Sequence, residues 1–412
     1  MGLDAAEALS VIPPRAHIVA GPGCGAPAGL LSALANVAPG RDWTLSSGLL
    51  LGDYPFLDLV RDGALGYRTW HVMGPVRGLV ADGTVDFVPV RASRLVGQLA
   101  VRGVDAALVR VTPPDRHGYC SVGPSASYSL DAMRLAKIRI GEVDPALPWT
   151  QGRTTVPASL FDALIEAEVP TPSYVSATPD ASSRRIAEHI LKLLPRDPTL
   201  QIGIGAIPES VVGSLADAGL GRVRFAGMAT DEMVDLAEAG VLDTDGETAA
   251  ILAPELMGSA RLMAFSDRNP MVAVYPSSTA HDAEFLGGFD RFVSINTAIE
   301  VDLTGHVNSE VVKARQVSGI GGSLDFIDAA TRSVGGLRII ALPSTAAGGA
   351  VSRIVPAIGA SGTVTIPRSL VDVIVTEYGA ARLDGLSTRE RADALIAIAH
   401  PDHRAALAEG TR

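Results

Sequence analysis

Short apolar runs alternate with amphipathic stretches along the first half of the chain. The run His17 to Gly21 (HIVAG) predicts a buried strand, and apolar residues at helical spacing from Ala28 to Ala38 (AGLLSALANVA) predict a helix. Further strands are expected at Leu49 to Asp53 (LLLGD), Val85 to Val90 (VDFVPV) and Val104 to Val111 (VDAALVRV). Apolar runs bounded by Gly and Pro and separated by helical stretches imply βα units around a largely parallel sheet. A polar, Pro/Ser-rich segment from Val169 to Arg185 interrupts the pattern and marks a boundary. Beyond it, Ser183 to Pro195 reads as an amphipathic helix, and Thr199 to Gly219 as strand, Gly-turn, helix. A second strand-and-helix series then runs to the end. The expectation is two α/β domains, residues 1–180 and 186–412.

Composition narrows the function. The chain has 412 residues, 47% of them apolar, with 43 Gly and 27 Pro. That fits sizeable cores joined by many turns. Aromatic residues make up only 5%, so the cores are expected to be built from Ala, Val, Leu and Ile. A net charge of −11 argues against general nucleic-acid binding, which needs basic surface against phosphates. Cys24 and Cys120 are too few for a disulfide framework and suit a reducing cytoplasm. No apolar run approaches the roughly 20 residues that span a bilayer, so no membrane association is expected. The acidic start lacks the basic and apolar regions of a signal peptide, and Ala at the sixth position breaks the myristoylation pattern. No Cys/His cluster has metal-ligand spacing.

Several segments carry candidate chemistry. Gly21-Pro-Gly-Cys-Gly-Ala26 satisfies the dinucleotide-binding pattern between a strand and a helix. No ribose-binding acid closes the next strand, however, so a structural turn with Pro27 in the first helical turn is the better reading. In Ile295 to Glu310 (INTAIEVDLTGHVNSE), strand alternation would put Asn296 and Glu300 on one face. Gly319, Gly321 and Gly322 lie within SGIGGSLDF, and Gly348, Gly349 and Arg353 within STAAGGAVSRIVP. Gly203 and Gly205 lie in GIGAIPE, and VTEYGAARLDG contains Glu377. In the first half, Asp115 and His117 (PPDRHGYCSVG) read as a loop-shaping pair, and Cys24 and Cys120 as small buried hydrophobes.

Together these segments resemble the acetyl-CoA hydrolase/transferase family of class I CoA-transferases, in the manner of 4-hydroxybutyrate CoA-transferases. The resemblance is strongest from Leu200 to Arg404. It implies two CoA-transferase-type α/β domains with largely parallel sheets, a cytoplasmic homodimer, and coenzyme A or acyl-CoA and a carboxylate as substrates. No permanently bound cofactor and no metal are implied. It makes Gly203, Gly205, Gly319, Gly321, Gly322, Gly348, Gly349 and Arg353 the CoA-binding candidates. Gly-rich loops bring backbone N–H groups close to a ligand and can stabilise an oxyanion. Asn296 would lie near the thioester.

The resemblance also implies a nucleophilic glutamate, and matching the helix Thr230 to Gly240 puts Gly227 in its place. Glu232, about one helical turn beyond, and Glu300 are the carboxylates that could take over, as nucleophile or as base toward water. Hydrolysis, atypical transfer and a catalytically silent CoA-binding protein all remain open at this point. A Gly227→Glu change is expected to bring transferase activity if the scaffold is otherwise competent.

Overall fold

The computed structural model describes residues 3–409; the termini of the two expected domains, Met1, Gly2 and Gly410 to Arg412, lie outside the described residues. The chain forms two compact units. The first runs up to Val175 and takes back Ile251–His281; the second comprises Ser176–Ala250 and the chain from Asp282 onward. The first break falls inside the Pro/Ser-rich segment. The return of Ile251–His281 departs from the two continuous domains expected from sequence.

In the first unit, seven strands form one parallel sheet: β1 (Arg15–Ala20), β2 (Asp42–Ser46), β3 (Gly66–Thr69), β4 (Asp86–Phe87), β5 (Ala106–Val111), β6 (Ile138–Val143) and β7 (Ala163–Glu166). Their order is β7-β6-β5-β1-β2-β3-β4, and all six pairings are parallel. β1 buries five of its six residues and β5 all six. Such near-continuous apolar burial is what a parallel sheet covered on both faces requires. The expected strand at Leu49 to Asp53 is not one; the strand lies earlier, at Asp42–Ser46. Leu49 adopts φ +48°, which turns the chain out of extended structure. Leu49 and Leu50 are nevertheless buried, so the apolar run reported burial rather than extension.

In the second unit, β8 (Thr199–Ile202), β9 (Arg224–Ala226), β10 (Phe292–Thr297), β11 (Leu337–Ala341), β12 (Val373–Thr376) and β13 (Gly379–Arg382) lie in the order β13-β12-β11-β10-β8-β9. Only the β12–β13 pair is antiparallel. The helix Ala181–Leu191 starts where the Asp180 carboxylate accepts from the Ser183 N–H, and it buries Ile186, Ala187 and Ile190. The chain is thus α/β with largely parallel sheets. No helix among the described residues is long and apolar enough to cross a membrane.

Candidate active site

All the site residues expected from sequence fall in the second unit. β8 ends at Ile202 and the chain turns through Gly203 and Gly205 into the helix Ala206–Gly213. Gly205 has φ +117°, a conformation that favours glycine, and its N–H donates to Glu209 Oε1 at 3.2 Å. Two strands supply polar side chains at this edge. The parallel register sets Gln201 of β8 against Ser294 of β10. Ser294 Oγ donates to Gln201 Oε1 at 2.9 Å, and Asn296 Nδ2 donates to Ser294 Oγ at 2.9 Å and to Gln201 Oε1 at 3.3 Å. Asn296 is therefore held in place on its donor side, half-buried, by partners 2 and 95 positions away in sequence.

Gly227 follows β9 and lies against β8 at Gln201 and Ile202. Its φ is +147°, and a Cβ built there would lie 3.2 Å from Gln201 Cγ and 3.4 Å from the Ile202 carbonyl. On the Gln201 side the cluster is thus met by bare backbone at Gly227.

The expectation that Asn296 and Glu300 share one strand face is corrected. β10 ends at Thr297, and Glu300 opens another strand, Glu300–Asp302, which pairs with Val307–Asn308 and Ile354–Val355. The ladder changes partner between neighbours: Ala298 N–H donates to Ala341, and Ile299 N–H to Asn308. That switch breaks the period of two on which the alternation rested. Glu300 Oε1 accepts from Asn308 Nδ2 at 2.9 Å, and a Cβ on Gly362 would lie 3.0 Å from the same oxygen. Glu232 opens the helix Glu232–Glu238, and its Oε2 is buried without a hydrogen-bond partner.

The remaining glycines sit in two other loops of this unit. Gly319, Gly321 and Gly322 lead directly into the helix Ser323–Arg332, with Gly322 at its cap and Gly321 at φ +56°. No side chain caps that helix, so its first backbone N–H groups suit an anionic or polar oxygen. Gly348 and Gly349, at φ +67° and +96°, form a turn between Thr345–Ala346 and Val351–Ser352; a Cβ on either would meet nothing within 4 Å. Arg353 follows, half-buried, its Nε unpartnered and its pKa lowered by burial, with Glu377 acting in the opposite sense. Glu377 accepts from the N–H and the hydroxyl of Ser344, at 2.8 and 2.7 Å.

The first unit disposes of several look-alikes. The N-terminus of the helix Ala28–Val37, which a dinucleotide pyrophosphate would need, is occupied by Glu142: Leu30 N–H donates to its Oε2 at 2.9 Å. Glu142 is itself buried against Arg110, which also pairs with Asp144 at 2.9 Å. Asp115 accepts from the N–H groups of His117 and Tyr119 and so shapes an exposed turn. Burial pushes the Cys120 thiol up to about 11, away from thiolate chemistry. No group of three His, Cys, Asp or Glu side chains that could hold a metal occurs among the described residues.

Sequence reasoning missed Glu255. It is 2% exposed, neither carboxyl oxygen has a hydrogen-bond partner, and burial pushes its pKa to about 8. The signal was present: Glu255 is the one acid in the otherwise apolar run Ile251 to Met257.

Comparison with known proteins bears on what these loops serve. Residues 3–172 match the acetyl-CoA hydrolase/transferase N-terminal domain, and residues 258–411 the C-terminal domain of the same family. The 4-hydroxybutyrate coenzyme A transferase of Clostridium kluyveri is 38% identical over 82% of this chain and 79% of its own length. The butyryl-CoA:acetate CoA-transferase of Anaerostipes caccae is 34% identical over 82% and 79%. Among solved structures, RipA from Yersinia pestis superposes with a TM-score of 0.92 at 32% identity, covering 99% of this chain and 96% of that one. A 4-hydroxybutyrate CoA-transferase from Porphyromonas gingivalis gives 0.80 at 30% identity, covering 100% and 97%. With both domains matched and relatives of this identity covered over most of their length, the chain belongs to the acetyl-CoA hydrolase/transferase family.

Proposed function

We propose that this enzyme acts on acyl-CoA thioesters of small carboxylic acids, and that it releases the acid by hydrolysis rather than through a glutamyl-CoA intermediate at the usual position. The observation that carries the reading is Gly227: a backbone position of φ +147° without a side chain, beside the Gln201–Ser294–Asn296 cluster. Relatives named CoA-transferases and acetyl-CoA hydrolases support either outcome for the family, including the acetyl-CoA hydrolase of Eremothecium gossypii at 27% identity. The vacancy at Gly227 favours hydrolysis.

In this reading the thioester carbonyl sits over the Gly203–Gly205 turn and beside Asn296. Backbone N–H groups of the glycine loops around residues 319–322 and 348–349, with Arg353, hold the coenzyme. Glu232 acts as general base. It accepts a proton from water, the resulting hydroxide adds to the carbonyl carbon, and collapse of the tetrahedral intermediate breaks the C–S bond. The CoA thiolate then takes up the proton. Of the two candidate carboxylates, Glu232 has a buried oxygen free of any hydrogen-bond partner, whereas Glu300 is engaged by Asn308. The resemblance also supports a cytoplasmic homodimer, which light scattering would test.

The experiment is thiol release from acetyl-CoA and butyryl-CoA, with and without acceptor carboxylate, in the wild-type enzyme and in Glu232→Gln. Loss of a general base lowers kcat by roughly 10²–10⁴-fold. Thiol release at the wild-type rate in Glu232→Gln overturns the assignment of the base. A borohydride-trapped adduct on Glu232 would make the reaction covalent transfer instead. No turnover alongside acyl-CoA binding would identify a silent member of the fold.

A further inference from the structure

The second unit holds a cluster of rings that the reaction above does not use, all of it from the chain after Asp282. It gathers where the helix Pro401–Glu409 begins. The Tyr378 ring meets His400 edge-on at 5.3 Å, and His400 meets His403 at 5.9 Å. The Arg404 guanidinium lies over Tyr378 at 5.8 Å, while its Nε donates to the Ala399 carbonyl at 3.0 Å. His403 joins this cluster to the glycine turn: its Nε2 lies 2.9 Å from the Gly349 carbonyl oxygen. A carbonyl only accepts, so Nε2 carries the proton and donates. A side chain of the last helix thus holds a backbone group 54 positions earlier.

What His403 holds is a strained turn. Ala347, Gly348 and Gly349 have φ +50°, +67° and +96°, three left-handed residues in succession. Glycine enters that region freely, whereas alanine does so at a cost, and such a conformation persists only where its surroundings impose it. The hairpin supplies part of the constraint. Thr345 pairs with Ser352 and Ala346 with Val351, and Arg353 N–H donates to the Ser344 carbonyl at 2.9 Å. His403 adds a tether from outside the hairpin. A Cβ on Gly348 or Gly349 would meet nothing within 4 Å, so open space lies beside a backbone fixed in this form.

The charged groups around the turn favour an anion there. Arg353 follows the hairpin, half-buried, with its Nε free of any partner. Glu377, whose charge acts on Arg353, has both oxygens engaged by Ser344, at 2.8 Å to the N–H and 2.7 Å to the hydroxyl. Asp402 is exposed beside His400 Nδ1, at 3.7 Å. A guanidinium with N–H groups to give suits a phosphate oxygen, and the backbone N–H groups of a left-handed turn form a concave set of donors for the same group.

We propose that His403 is a positioning residue for the coenzyme. By holding the Gly349 carbonyl it fixes the N–H side of the Ala347–Gly349 turn toward a phosphate of the nucleotide portion of CoA, beside Arg353. The assignment rests on the acyl-CoA reading above. His403 touches neither the phosphate nor the thioester and acts through the turn alone.

The test compares kcat/KM for butyryl-CoA and for butyryl-pantetheine, which carries the same thioester without nucleotide or phosphate. The enzymes are the wild type, His403→Phe, His403→Gln and His403→Asn. Phe keeps a ring against His400 and removes the N–H; Gln can place an amide N–H where Nε2 stood; the Asn amide falls short of that position. In the wild type the coenzyme thioester should be preferred by roughly 10-fold or more, since a truncated substrate loses remote binding energy. In His403→Phe that preference should fall by about 3–10-fold, the worth of one hydrogen bond, and the fall should appear in KM for butyryl-CoA rather than in kcat. His403→Gln should restore most of it. His403→Asn should lower it as Phe does, which keeps the comparison available if the Phe variant does not fold. A preference unmoved in the folded variants overturns the proposal, and so does an equal loss on both thioesters, which a merely structural role would give. Wild-type turnover of both thioesters with equal kcat/KM overturns the phosphate assignment and leaves the thioester reading standing. A wild type that neither binds nor turns over either thioester overturns the parent reading and this one with it.

Discussion

Glu255 makes a prediction about stability that does not depend on any substrate. Burial pushes its carboxyl from an ordinary 4.5 to about 8. In the unfolded chain the group ionises near 4.5, whereas the folded chain keeps the proton up to about 8. Between those values the folded state binds more protons, so stability falls as pH rises. The contribution is fully present below pH 4.5 and is lost as the pH climbs through 8. Each unit of separation corresponds to about 1.4 kcal/mol. Integrated from pH 5 to pH 8, the loss is about 3.5 kcal/mol.

Glu255→Gln keeps the shape of the side chain but cannot ionise, so the variant escapes this loss. The difference in unfolding free energy, variant minus wild type, should therefore grow by about 3.5 kcal/mol between pH 5 and pH 8. Urea unfolding followed by tryptophan fluorescence is the suitable assay. All three tryptophans, Trp43, Trp70 and Trp149, lie in the first unit with Glu255, so the signal reports the unit concerned even if the other unfolds separately. Parallel profiles, with the difference changing by less than about 1 kcal/mol across that range, would refute the picture of a carboxyl buried without partners.

Two further perturbations probe each unit by itself. Gly227→Ala should cost about 1–3 kcal/mol, because φ +147° strains any residue with a Cβ and that atom would press on Gln201 Cγ at 3.2 Å; thermal unfolding measures this, and a neutral effect would mean the backbone relaxes there. Gly227→Glu carries the same backbone cost, so a transferase gained by that change should come with a lower melting temperature. Arg110→Met should cost about 3–5 kcal/mol, since it strands the buried Glu142 and Asp144 carboxylates; chemical denaturation reads the loss, and the double change with Glu142→Gln should recover part of it.

Much of the fold was legible because parallel strands buried on both faces write themselves as apolar runs. His17 to Gly21 and Val104 to Val111 are such runs, and the structure has strands at Arg15–Ala20 and Ala106–Val111. The same signal misplaced the strand at Leu49 to Asp53, because a run of leucines reports burial whether the backbone is extended or turned. Arg110 shows the converse. It stands in a strand with every residue buried and is 1% exposed, paired with carboxylates on β6 and just after it that no local pattern announces.

The site was less legible for a reason that is geometric rather than compositional. The sequence marked Asn296 as a polar residue in an apolar strand, but what orients it is Gln201, 95 positions earlier, brought alongside by the β8–β10 register. Register across a crossover is a tertiary choice, fixed by which faces pack and not by either strand alone. Glu300 fails for the same reason, since its side chain was assigned by counting along a strand that ends at Thr297. Of the loop glycines singled out from sequence, Gly205, Gly321, Gly348 and Gly349 adopt a positive φ, a local demand of their turns, whereas Gly203, Gly319 and Gly322 do not. Buried polar groups therefore deserve weight in inverse proportion to how well sequence explains them.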